Sequence, residues 1–303
     1  YPSTVKEIRF FTTIKKGFRF HPLFLYAGTL LYWMIGNGFT KFPRYLSAKK
    51  ISQEEHIVNA EGSNGGFEYS DAYLHDNDAR FVFKFIRSAL DYGCVAANYV
   101  EAMNSVRDGN IWETPATEGI SGEQFMIRSK VVINAAGPFA DQYNQTSDQF
   151  TQHSHVFSKG IHLIVDRLTP NKRVLAFFAN DGRLFFVIPM GPKTCIGTTD
   201  TRVESPYTEV TEEDRLFVLE NINARLKLPQ PLTTSDIVAE RCGVRPLVVE
   251  KGDSEETDWM QLSHKHAIDI DLEKRYMSVF GGKLTDCINV GDEVYQAVAS
   301  MGI

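Results

Sequence analysis

The stretch of this chain best equipped for chemistry is FGGKLTD, Phe280 to Asp286, where the apolar run Tyr276 to Val279 gives way to a helical pattern. A helix N-terminus presents unpaired N–H groups and a positive dipole end, so it can hold an anion or an electron-rich ring edge. Gly281 and Gly282 let a flat ligand approach the backbone, and Lys283 adds a point charge. The same letters also describe an ordinary strand-to-helix turn with a solvated lysine. Upstream, RCGVRPL places Arg245 before a proline that keeps it extended. An arginine in an apolar run needs an anion, which is either a ligand's carboxylate or phosphate or an internal salt bridge. SKGIHL sets Lys159 and His162 beside a glycine, and IGTTDT gathers threonine hydroxyls and Asp200 after a strand. Each of these has a bland structural reading as well, a satisfied histidine or a capped turn. NAAGP, from Asn134 to Pro138, puts small residues where a backbone must pack closely against something.

The elements that must position these residues alternate between strands and helices. Asp76-Asn77-Asp78 caps a helix with apolar residues at Phe81, Phe85, Ile86 and Leu90, which Gly93 ends. Cys94 to Val106 reads as a strand, with RDGN as the hairpin turn after it. Val131 to Ile133 is a short strand leading into NAAGP. Between His155 and Thr199 lie HVFSKGIHLIVD, VLAFFA, RLFFVIP and TCIGTT, strand-like stretches separated by turn residues. Thr211 to Leu226 is a helix with an acidic first turn, Asp236 to Val249 and His264 to Ile270 are strands, and Asp286 to Ala299 is the last helix. His21 to Ile35, HPLFLYAGTLLYWMI, is apolar and preceded by Lys15, Lys16 and Arg19. It is too short to span a bilayer. Two readings remain for it: a buried or partner-facing helix, or an interfacial helix whose basic flank meets anionic headgroups.

Composition narrows the class. A 303-residue chain that is 43% apolar and 23% charged suits one large domain or two joined ones. A net charge of −6 argues against a nucleic-acid partner, because phosphate neutralisation needs a basic surface. Cys94, Cys195, Cys242 and Cys287 lie far apart, with no CxxC pair and no metal-ligand spacing. We read them as buried thiols of a reducing, cytoplasmic compartment and expect no metal.

GGFEYSDAYLHDNDAR, VVINAAGPFAD, SKGIHLIV, FFVIPMGPKTCIGTTDT, CGVRPL and VFGGKLTD occur in an order and approximate spacing that resemble FAD-dependent glycerol-3-phosphate dehydrogenases. The likeness is strong from about Gly66 onward and looser over the first sixty residues. It implies oxidation of the C2 hydroxyl of sn-glycerol 3-phosphate to dihydroxyacetone phosphate, with hydride passing to FAD and electrons going on to quinone or oxygen. By resemblance Gly281, Gly282, Leu284 and Thr285 wrap the isoalloxazine, while Arg245 and Lys283 lie at the substrate end. By the same resemblance His162 accepts the proton of the C2 hydroxyl, histidine being the side chain whose ordinary pKa lies near working pH. Thr199 hydrogen-bonds substrate, Asn134, Ala135 and Gly137 pass near the adenosine, and Val100 meets the adenine.

The implied fold is α/β (α+β), a flavoprotein core with a mixed, largely antiparallel substrate-domain sheet. Residues 1–65 form a helical and loop segment of the substrate-binding part that can touch a membrane. Residues 66–154 are part of the FAD-binding domain, 155–270 the substrate domain, and 271–303 a return to the FAD domain. The sequence departs from the pattern at its ends, with no GxGxxG turn for the pyrophosphate and no helical C-terminal domain. We therefore expect the interior of a longer protein, cytoplasmic and able to sit peripherally at a membrane. Two other readings stay open: an amino-acid or 2-hydroxyacid flavin oxidase of the same broad fold, and a non-catalytic binding remnant.

Overall fold

The apolar stretches between His155 and Thr199 form the strands expected of them in the computed structural model, which describes residues 4–74, 77–179, 182–252 and 265–303. In chain order the first elements are β1 (Val5–Lys15), α1 (Pro22–Ile35), β2 (Arg44–Leu46), α2 (Ala48–Glu54), β3 (Ser63–Leu74) and α3 (Asn77–Asp91). Next come β4 (Val100–Ala102), β5 (Val106–Asp108), β6 (Ile111–Glu118), β7 (Gln124–Ser129), β8 (Val132–Asn134) and α4 (Ala140–Thr146). The long strand β9 (His153–Asp166) precedes β10 (Val174–Phe178), β11 (Leu184–Met190), β12 (Lys193–Gly197) and β13 (Thr201–Val203). The chain closes with α5 (Glu212–Arg225), β14 (Ala239–Glu250), β15 (His266–Asp271), β16 (Tyr276–Gly281) and α6 (Cys287–Ser300).

These elements divide into two units. Unit 1 comprises residues 1–94, 161–199 and 209–242, and unit 2 residues 95–160, 200–208 and 243–303. Unit 1 is built on a sheet of order β9-β12-β11-β10-β1-β3-β2, antiparallel except where β1 runs parallel to β10. Alternation along these strands turns Phe11, Leu163, Leu175, Phe177, Phe185 and Ile196 into one core. Helix α5 covers it with Val218, Leu219 and Ile222, whose spacing keeps them on one helical face. Each such side chain contributes about 1.5–3 kcal/mol when fully buried. A capping box between Thr211 and Asp214 starts α5, in agreement with its acidic first turn.

Unit 2 contains the sheet β15-β16-β8, in which β8 runs parallel to β16, and the antiparallel meander of β4 to β7. Trp112, on β6, joins meander to sheet: its ring lies 5.4 Å from that of Tyr276, and its Nε1–H donates to the Lys274 carbonyl at 2.9 Å. Asn144 of α4 fastens the sheet from the other side, accepting at Oδ1 from Asn134, Tyr276 and Ser278 at 2.6–2.8 Å.

Three expectations need correction. Cys94 to Val106 is not one strand, and only β4 and the start of β5 are extended there. The break falls at Tyr99, which adopts φ +56 and leaves the extended region. The RDGN turn forms as expected, between Asp108 and Ile111. The cysteines are not uniformly buried: Cys195 is, but Cys94 and Cys242 are exposed, the first just past the glycine that ends α3. Helix α1 is not a buried helix either, since Pro22 is its only buried residue and Phe24 and Ile35 are 67% and 72% exposed. Among the described residues no helix is long and apolar enough to cross a membrane.

Candidate functional site

In unit 2, β16 ends at Gly281 (φ +59) and turns through Gly282 (φ +86) and an extended Lys283. A single 3₁₀ turn, Leu284–Asp286, then leads into α6, so the FGGKLTD segment does stand at a helix N-terminus. The protein itself demands the first glycine. A Cβ on Gly281 would lie 2.3 Å from Val248 Cγ2, while one on Gly282 would meet only His266, at 3.1 Å. The second glycine is thus the more open of the pair. Lys283 and Thr285 are exposed, Leu284 is half-buried, and Lys283 has no carboxylate partner among the described residues.

Two histidines hold this turn, and neither was singled out by the sequence. His155 is fully buried; its Nε2 accepts the Gly281 N–H at 3.2 Å, and its Nδ1 lies 2.6 Å from Asp141 Oδ2. Because Nε2 accepts, Nδ1 carries the proton and donates to Asp141. His266 is bound by two carboxylates, Asp286 at 2.6 Å and Glu293 at 3.1 Å. The Asp286 hydrogen bond, helped by Glu293, raises the His266 pKa against the pull of desolvation. The bond from His266 in turn lowers that of Asp286.

Arg245, also in unit 2, is half-buried and pairs with Asp200 Oδ1 at 3.5 Å, a carboxylate that accepts from Ser158 as well. Its guanidinium occupies the space that a side chain on Gly160 would need, 2.5 Å from the missing Cβ. The internal salt bridge left open by the sequence is therefore present. Asn134, Ala135 and Val100 line one cavity of about 780 Å³, together with Met103, Phe139 and Tyr207. The Asn134 side chain is committed to the fold, donating to Ala140 and Asn144 and accepting from Ala136. Gly137 (φ +57) has open space where a Cβ would be.

His162 and Thr199 belong to unit 1. His162 pairs with Gly197 across β9 and β12, and a Cβ on Gly197 would fall 2.9 Å from the imidazole Cδ2. The glycine of IGTT therefore makes room for His162. Thr199 is buried, and its Oγ1 accepts the Ile161 N–H at 3.0 Å, leaving the hydroxyl proton to donate. His162 lines a second cavity, of about 1170 Å³, with Tyr73, Asn77, Arg80, Cys195 and Arg241. Sequence reasoning passed over both arginines: Arg80 lies in a helix's first turn, and Arg241 was quoted only as the neighbour of Arg245.

The sequence model of the FAD dependent oxidoreductase family matches residues 27–264. The chain belongs to that family. Its α/β architecture and mixed sheets are those of this FAD-dependent fold, and FAD is the family's cofactor. The chain is 30% identical to the aerobic glycerol-3-phosphate dehydrogenase of Bacillus subtilis (strain 168), over 84% of its own length and 45% of that protein's. It is 28% identical to the mitochondrial glycerol-3-phosphate dehydrogenase of Bos taurus, over 90% and 38%. This family member therefore spans less than half the length of those relatives. Among solved structures, the glycerol-3-phosphate dehydrogenase from Bacillus halodurans complexed with FAD superposes with a TM-score of 0.77 at 25% identity, covering 99% of this chain and 52% of that one. Glycine oxidase from Geobacillus kaustophilus shares the fold at a TM-score of 0.60 and 15% identity, over 93% and 67%.

Proposed function

We propose that this chain is the substrate-handling part, with a share of the flavin site, of an FAD-dependent glycerol-3-phosphate dehydrogenase. The observation that carries the reading is the FGGKLTD turn at the start of α6, combined with similarity to dehydrogenases of that name. A bound FAD would supply the hydride acceptor for C2 of the substrate. The residues fit the group at two ends. Gly282 offers a solvent-exposed backbone beside the α6 N-terminus, whose dipole favours negative charge, and Gly281, Leu284 and Thr285 complete that turn. Val100, Asn134 and Ala135 offer the adenosine a cavity, with Gly137 open nearby. The chain has no GxGxxG turn, so these residues leave the pyrophosphate without its usual cradle.

His162 is the proton acceptor for the C2 hydroxyl, and Thr199 donates to the substrate. Arg245 and Lys283 supply cationic donors for its phosphate and for the developing alkoxide. A quinone or oxygen would be the electron acceptor in this reading. Helix α1, with Phe24, Leu31, Met34 and Ile35 exposed after the basic Lys15, Lys16 and Arg19, is the surface for peripheral membrane contact. Co-sedimentation with vesicles of anionic lipid tests that part, and Phe24→Ser with Ile35→Ser should abolish it.

Supplied with the FAD-binding half, the protein should oxidise glycerol 3-phosphate and neglect free glycerol, which lacks the anion. Equal catalytic efficiency on glycerol, or preference for an amino acid or 2-hydroxyacid, would sink the assignment. A folded, colourless preparation that takes up no flavin would support a non-catalytic remnant instead.

A further inference from the structure

In unit 1 several arginines are committed to carboxylates, while others are held by backbone carbonyls, as Arg167 and Arg225 are. Arg9, Arg44 and Arg173 each hold at least one of Glu54, Glu55 and Glu68, and Arg215 holds Glu240. Arg80 and Arg241 hold no carboxylate among the described residues, yet both face the cavity of about 1170 Å³ that contains His162. Among the described residues Arg241 has as its acceptor there the Met190 thioether, Nη2 to Sδ 3.5 Å, which is a weak acceptor for a guanidinium. Among the described residues Asp78 is the one carboxylate on the lining, and there two guanidiniums outnumber it. The remaining wall is largely apolar, including Phe83, Ile188 and Pro189, while Arg80 and Arg241 are themselves exposed and reachable from solvent.

We propose that this cavity is an anion subsite for a phosphate monoester, with Arg80 and Arg241 as its donors. The proposal rests on the glycerol-phosphate reading above but moves the phosphate from Arg245 and Lys283 to Arg80 and Arg241, leaving the former pair the developing alkoxide. Arg245 is already shared with Asp200, so its charge is partly spent inside the protein, whereas the two cavity arginines are uncommitted. Guanidiniums suit the task, since their planar forks match phosphate oxygens in a way an ammonium does not. An anion held on this lining shares a cavity with the His162 imidazole, so one small polyol phosphate presents its charged end and a hydroxyl to the same space.

Isothermal titration of the 303-residue chain with glycerol 3-phosphate and with inorganic phosphate, at low ionic strength, tests it. Wild type should bind both. Arg80→Gln and Arg241→Gln should each weaken binding by about tenfold or more, and the double variant should show no measurable heat. Arg87→Gln, on the same helix but outside the cavity, should bind as wild type. Melting temperatures should match throughout, because neither cavity arginine supports an ion pair. No binding by wild type, or unchanged affinity in the double variant, overturns the subsite. Tighter binding of glycerate than of glycerol 3-phosphate overturns its assignment to phosphate. The two readings fail separately. If the assembled enzyme ignores glycerol 3-phosphate while the arginine-dependent phosphate binding persists, the substrate assignment falls and the subsite stands. If it oxidises glycerol 3-phosphate with an unchanged KM in the double variant, the reverse holds.

Discussion

The two groups of arginines in unit 1 separate what charge does for this fold from what it is free to do for a ligand. Glu68, whose side chain is 6% exposed, is gripped by Arg9, Arg44 and Arg173, and Glu55, 2% exposed, by Arg173, Thr169 and Asn171. These contacts tie α2 to β3 and to the start of β10, so the network is part of the sheet's edge. Arg80 and Arg241 have equal charge and no such partners among the described residues. Burial alone would push Glu68 up, but the hydrogen bonds from Arg9 and Arg44 outweigh it and leave the carboxyl below its usual range. The difference between the groups is pairing, and pairing predicts opposite responses to mutation.

The largest effect should come from breaking the paired group. Glu68→Gln leaves guanidiniums facing a neutral amide in a nearly closed site, and should cost about 3–5 kcal/mol. In a chain of this size that lowers Tm by roughly 5–8 °C, measurable by calorimetry. The wild-type contribution should fade in acid. A depressed carboxyl pKa stabilises above the unfolded value near 4.5 and loses that stability as pH falls through the folded value. A Tm within 1–2 °C of wild type, roughly the effect of a surface substitution, would show that the network is ornamental.

Arg245 lies between the two groups, paired but half-exposed, and so sharpens the contrast. If it serves the substrate, Arg245→Lys should fail to rescue, because a point charge cannot reproduce the planar fork. Transition-state stabilisation should drop by about 2–4 kcal/mol, roughly thirty- to a thousand-fold in kcat/KM of the flavin-bound enzyme. If the salt bridge to Asp200 is its whole purpose, Arg245→Ala lowers Tm while the folded enzyme keeps normal flavin reduction. Stopped-flow reduction and calorimetry on one preparation separate the outcomes.

Local pattern was enough to read much of this. The alternation from His155 to Thr199, the acidic cap of α5 and the strand-to-helix change at FGGKLTD are all written within a few adjacent residues. What was not local was not legible. Nothing near Tyr99 announces a positive φ, and an apolar helix such as α1 carries no sign of whether anything covers it. Gly281 was read as making way for a flat ligand, but its first requirement is Val248, thirty-odd positions upstream. His155 and Asp141 are fourteen positions apart, and their bond exists only once β9 passes α4. Arg80 and Arg241 look like any other arginines until the pairing of their neighbours is known.

The smallest expected effect carries the pairing argument into unit 2, where a histidine takes the place of the arginines. His266 sits on β15 between Asp286, the residue that precedes α6, and Glu293 on the helix itself. Protonated, it ties strand to helix and holds the face against which Gly282 packs. Its pKa is raised above 6.5, so its stabilisation is complete below the unfolded value and disappears as pH rises through the folded one. Asp286 works at the other end of the scale: its pKa is depressed below 3.8, and its share is lost only as acid titrates it. The clamp is therefore strongest between about pH 4 and pH 6.5, with both groups ionised. The Tm gap between wild type and His266→Gln should be widest there and should close as the solution becomes alkaline. Glutamine can still donate to one carboxylate, which separates the charge from the hydrogen bond. A gap that is flat from pH 5 to pH 9 would mean that the imidazole acts as a neutral spacer, and that pairing by charge stops at the arginines of unit 1.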